Sequence, residues 1–89
     1  MAQHQVRVEK MTFDPNVVRA HVGDTVTWNW NSDTHSVTSD NNTWPDTGVQ
    51  NTGFTFSHVF NATGSFSYHC SVHGGPGGQG MHGTVRVLP

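Results

Sequence analysis

The chain has 89 residues, room for one domain with a modest core and for no second one. Four Lys and Arg stand against six Asp and Glu, net −2 with neutral histidines, and no basic run exists, so a nucleic-acid partner is not expected. No stretch reaches 18 apolar residues, which argues against a membrane span, and a single cysteine cannot form an internal disulfide.

Along the chain, apolar residues recur with a period of two, the signature of half-buried strands. In QVRVE, Val6 and Val8 share one face while Arg7 and Glu9 share the other. Asp14-Pro15-Asn16 marks a turn, and VVRAHV follows with a less regular pattern that predicts a bulge. After Gly23-Asp24, TVTWNW places Val26, Trp28 and Trp30 opposite Thr25, Thr27 and Asn29. Met11 is expected in the core. The segment from Ser39 to Gly53 is polar and turn-rich, and reads as a long irregular connection between two halves of the domain. FTFSHVF again fits alternation imperfectly. Beyond the Asn61-Ala62-Thr63-Gly64 turn, SFSYHC puts Phe66, Tyr68 and Cys70 on one side, with Ser65, Ser67 and His69 on the other. GTVRVL closes the chain with Val85 and Val87 inside. No helical stripe is present. Six to eight short strands with one buried face each predict an all-β, antiparallel two-sheet sandwich spanning residues 1–89 as a single domain.

The chemistry concentrates near one end of that frame. Seven histidines are unusual in a chain this short. Cys70 and His73 form C-x-x-H at a strand end, Met81 follows after seven intervening residues, and His35 sits just beyond TVTWNW. These supply two imidazoles, a thiolate and a thioether. Soft sulfur donors select copper or zinc, and a His₂Cys set with a weak axial Met describes an electron-transfer copper site. Gln79 is the alternative axial donor, because Gln also serves in that position. A structural zinc site is the weaker reading, since zinc draws little from a thioether. Cys70 as a catalytic nucleophile beside a histidine lacks any oxyanion-hole segment, so no enzyme is expected. GPGGQG formally matches a dinucleotide fingerprint, but a strand-like run follows it where a helix would have to open. His4, His21, His58, His69 and His82 are read as non-ligands.

These residues give the chain its likeness to a family. It resembles the cupredoxins, plastocyanin- and halocyanin-like members above all, over nearly its whole length. MTFDPNVVRAHVGDTVTWNW is similar to that family's opening, HSVTSD to its first-ligand segment, and GSFSYHCSVHGGPGGQGMHGTVRV to its closing copper loop. The resemblance implies a Greek-key arrangement and one copper per chain, bound by His35, Cys70 and His73 with Met81 axial. It implies a type 1 (blue) copper protein that shuttles one electron between larger redox partners, docking transiently as a monomer. A copper delivery protein, or the electron-accepting domain of a larger multicopper enzyme, are the alternatives. In this family Asn often follows the first histidine and braces the loop; Ser36 stands here, which predicts weaker bracing. His69 occupies a position that is often aromatic, and is expected to point outward as a second site of electron uptake. His35 is expected to be buried and His73 partly exposed. The opening Met-Ala-Gln-His lacks the segments of a signal peptide. Copper and the likeness to exported carriers nevertheless predict a periplasmic or extracellular protein whose export segment or tether is missing here.

Overall fold

The computed structural model describes residues 2–32 and 34–89. Its strands are β1 Gln3–Glu9, β2 Thr12–Asp14, β3 Val17–His21, β4 Thr25–Trp30, β5 Thr38–Ser39, β6 Thr55–Val59, β7 Gly64–Gly75 and β8 Gln79–Leu88. Among the described residues there is no helix. The strands form two four-stranded sheets, ordered β2-β1-β4-β6 and β3-β8-β7-β5, which pack as a β-sandwich.

The sheets are mixed, where alternation predicted antiparallel pairing throughout. β1 runs parallel to β4, with Val6 opposite Trp28, and β3 runs parallel to β8, with Val18 opposite Val85. The reason lies in the connections. The chain leaves the first sheet after β2, makes β3 in the second sheet, and returns as β4. A strand that comes back to its own sheet by such a crossover can run alongside its neighbour in the same direction. A pattern within one strand says which face is dry but not which way the neighbour runs.

The facing itself is as expected. Val6, Val8, Val26, Trp28 and Trp30 of the first sheet are buried, as are Val18, Tyr68, Cys70, Val85 and Val87 of the second. β3 and β6 alternate regularly after all. The irregularity falls instead within β7, between His69 and Gly74. Met11 is a correction: at 57 % exposure it is no core residue, and it occupies a tight turn with φ of 63°. The connection after β5 is also more than a polar link. It inserts Trp44, 3 % exposed, against Trp28 (ring centroids 5.3 Å apart) and Phe60 (5.8 Å). The Trp44 indole N–H donates to the Val37 carbonyl at 3.2 Å, so its polar atom is satisfied.

Asp24 ties the end remote from β7's irregular stretch. Its carboxylate meets His4 Nε2 at 3.0 Å and accepts the backbone N–H of His21 and of Ala2. The His4 hydrogen bond, then those of His21 and Ala2, hold its carboxyl well below the usual carboxylate range.

Tyr68 is the keystone of the second sheet's inner face. It is fully buried, edge-on to Phe13 at 4.8 Å and to Trp28 at 5.3 Å. Its ring lies over Gly83, its cross-strand partner. A Cβ on Gly83 would come within 2.5 Å of the Tyr68 hydroxyl and 2.6 Å of Cζ. Since the ring has aromatic neighbours and no free space, Gly83→Ala should lower stability by about 1–3 kcal/mol in a urea titration. Burial also pushes the Tyr68 hydroxyl up to about 12, with the Trp28 indole pulling slightly the other way. The folded chain therefore keeps a proton that the unfolded chain releases near pH 10. That contribution to stability is complete below pH 10 and is lost as pH rises from about 10 towards 12. Because this is the only tyrosine, ultraviolet titration should show one phenolate transition, near pH 12 folded and near pH 10 in denaturant.

Candidate metal centre

β7 and β8 are paired up to His69 opposite His82, and pair again from Gly74 opposite Gly80. Between those pairs β7 has four residues, Cys70 to His73, while β8 has only Met81. The excess on one strand forms an outward excursion, a large bulge that re-aims side chains at the sheet's end. It is closed by a neck that only glycine permits. A Cβ on Gly74 would lie 2.6–2.7 Å from the Met81 backbone O and N.

Cys70 stays on the inner face, fully buried, and Met81 across from it is 3 % exposed. His73, at the end of the excursion, is half-buried and lines an open depression with Gly74, Gly75, Pro76, Gln79 and Gly80. His35 arrives from the segment after β4 and is 2 % exposed. Its backbone is clamped by Gln50: its N–H donates to the Gln50 carbonyl (3.1 Å), and its own carbonyl accepts the Gln50 N–H (2.9 Å). The same carbonyl takes the Trp30 indole N–H at 2.8 Å. Its Nε2 meets the Ser32 hydroxyl at 3.0 Å, which leaves Nδ1 turned towards Cys70. Thr34, just before it, holds φ at 70°, an uncommon conformation for a β-branched residue and one typical of functional sites.

The three side chains converge. Cys70 Sγ lies 3.8 Å from His35 Nδ1 and 3.5 Å from His73 Nδ1, and the imidazole centroids are 5.0 Å apart. One ligand atom from each falls within 4.8 Å of the others, a group able to hold a metal ion. Gln79, by contrast, is exposed and pairs with Gly75 in the arch.

Two features go beyond the sequence reading. Ser36, fully buried, supplies a brace of its own. Its hydroxyl accepts the Ser71 N–H at 2.9 Å and lies 3.1 Å from Ser71 Oγ and 2.9 Å from Thr38 Oγ1. The residue after His35 is thus joined to the residue after Cys70. His69 corrects the expectation of an exposed side chain on the outer face. It is 8 % exposed and covered by Asp40, whose carboxylate accepts from its Nδ1 at 2.6 Å. Strand alternation could not reveal either, since both depend on a loop from elsewhere in the chain.

The chain matches the copper binding proteins of the plastocyanin/azurin family over residues 2–88. It is 39 % identical over 80 residues to halocyanin from Natronomonas pharaonis, a match covering 84 % of this chain and 47 % of that protein. The chain therefore spans about half the length of that relative. Among solved structures, it is similar to a novel purple cupredoxin from Nitrosopumilus maritimus, 29 % identical with a TM-score of 0.78, covering 96 % of this chain and 99 % of that one. It is also similar to an oxidized methionine-to-leucine mutant of amicyanin, 25 % identical with a TM-score of 0.79, covering 96 % and 81 %. With a family match along almost its whole length and two imidazoles and a cysteine sulfur gathered in a β-sandwich, the protein belongs to the plastocyanin/azurin family of copper-binding proteins.

Proposed function

We propose that this protein is a type 1 copper electron carrier, with one copper held by His35, Cys70 and His73 and with Met81 as the axial donor. The observation that carries this reading is the spacing of the three inner donors. Metal–sulfur and metal–nitrogen bonds of about 2.3 and 2.0 Å, meeting near 120°, set sulfur and nitrogen about 3.7 Å apart. The two distances found, 3.8 and 3.5 Å, bracket that value. Two imidazoles and a thiolate arranged so openly suit copper with a weak axial sulfur. Met81 is favoured over Gln79 because it is the buried β8 residue facing the excursion, while Gln79 is exposed beyond the neck.

When bound, copper supplies a one-electron couple between Cu(II) and Cu(I). The chain's own residues do the rest. Cys70 provides a thiolate from a rigid strand end, shielded from water. His35 is locked by Ser32, Gln50 and Trp30, so its imidazole keeps one orientation in both oxidation states. His73 stands at the open depression and offers an edge through which a docked redox protein exchanges an electron. The surface around it, Gly74, Gly75, Pro76 and the exposed Val72, carries no charge. A small uncharged rim favours brief encounters, which suit a shuttle that must release its partner quickly. We further place the carrier outside the cytoplasm, in the periplasm or at the cell surface, working as a monomer. A thiolate committed to copper fits compartments that lack a reducing thiol pool.

Adding Cu(II) to the metal-free protein should yield one equivalent bound, an intense thiolate-to-copper band in the visible, and a small copper hyperfine splitting by EPR. Cys70→Ala should abolish the band. Met81→Leu should keep the band and raise the reduction potential, while Gln79→Leu leaves both unchanged; a band that survives Cys70→Ala would rule the site out. The brace between the ligand segments has its own test. Ser36→Ala leaves the Ser71 N–H without its acceptor and should cost about 1–3 kcal/mol of folding stability, measured by denaturant titration of the metal-free protein.

A further inference from the structure

The arch from Gly74 to Gly80 contains five glycines, and Gly77, Gly78 and Gly80 adopt φ of 83°, 80° and 64°. Such a chain has more conformational freedom to lose than any other, so an ordered arch needs an anchor outside itself. The anchor is Asp40. One oxygen of its carboxylate accepts the Gly77 N–H at 3.1 Å, at the tip of the arch. The other accepts from His69 Nδ1 at 2.6 Å, and His69 immediately precedes Cys70.

This carboxylate is built in rather than incidental. The Asp40 and His69 side chains are only 9 % and 10 % exposed. The Asp40 N–H donates to the Ser67 carbonyl at 3.0 Å, which ties its backbone to β7. The Ser39 hydroxyl accepts the N–H groups of Thr43 (2.8 Å) and Asn41 (3.3 Å), folding the turn that presents Asp40. The His69 contact is partly buried and the Gly77 hydrogen bond lies at the surface, and the charge of the carboxylate strengthens both.

We propose that Asp40 is a positioning residue of the metal site, a clasp that grips the ligand loop on both sides at once. It holds the residue before Cys70 and the tip of the span between His73 and Met81. It thereby sets the relation of His73 and Met81 to the cysteine sulfur, although it touches none of them. The copper part of this claim rests on the function proposed above; the clasp itself does not.

The test uses the whole chain, metal-free and copper-loaded. In the metal-free protein, Asp40→Ala should speed Gly77 amide exchange by about tenfold or more, the scale of a charge-assisted hydrogen bond. In the copper-loaded protein it should change the hyperfine splitting, shift the reduction potential and slow electron self-exchange. Asp40→Asn keeps an oxygen for Gly77 and an N–H for the other His69 tautomer, and should restore both signals. If Asp40→Ala is too unstable to purify, Asp40→Ala combined with His69→Phe, which leaves no unpaired buried imidazole, carries the same measurements. Unchanged Gly77 exchange overturns the clasp. Faster exchange with an unaltered copper spectrum, potential and self-exchange rate overturns the positioning role. A native chain that shows no thiolate-to-copper band overturns the copper reading itself, and the positioning role with it.

Discussion

The site depends on a mismatch between two paired strands. β7 and β8 agree in register on both sides of the metal end, yet four residues on one strand answer a single residue on the other. A ladder cannot absorb that excess flat, so the chain is forced out of the sheet between Cys70 and His73. Cys70 directly follows the last paired residue, His69, and keeps its inward aim. His73 is lifted towards solvent, and Met81 is left facing the gap from the opposite strand.

Everything near this excursion acts to stop it from moving. The glycine neck brings the two backbones closer than any other residue would allow. Ser36 links the segment that carries His35 to the one that carries Cys70. Gln50 and Trp30 hold the His35 backbone, and Asp40 secures the arch. The hydrogen bonds at Ser36 and at the His35 backbone each satisfy a polar group that would be costly to leave unpaired in a largely buried place. Such a frame leaves the donor side chains little room to shift.

The core beneath serves the same end by different physics. Trp28, Trp44, Tyr68 and Phe56 pack ring against ring, with centroids 5.3–6.1 Å apart. Rings bury large area with few rotatable bonds, so the sheets are held at a fixed spacing. Tyr68 is two residues from Cys70 on the same strand face, and its tight fit over Gly83 steadies the strand that carries Cys70.

Much of this could be read from residues alone, and the reason is local. Alternation of apolar and polar side chains decides which face of a strand avoids water, so Val6, Trp28, Cys70 and Val87 were legible as inward-facing. The donor types of His35, Cys70, His73 and Met81 are matters of composition and spacing, so the class of metal was legible as well. Strand direction was not, because parallel and antiparallel neighbours bury the same face. Nor was the burial of His69 or Trp44, or the exposure of Met11, since each depends on which distant loop lies against it or fails to. Ser36 and Asp40 show the limit most plainly. Their roles reside in hydrogen bonds to residues 35 and 37 positions away, and only the folded chain brings those partners within reach.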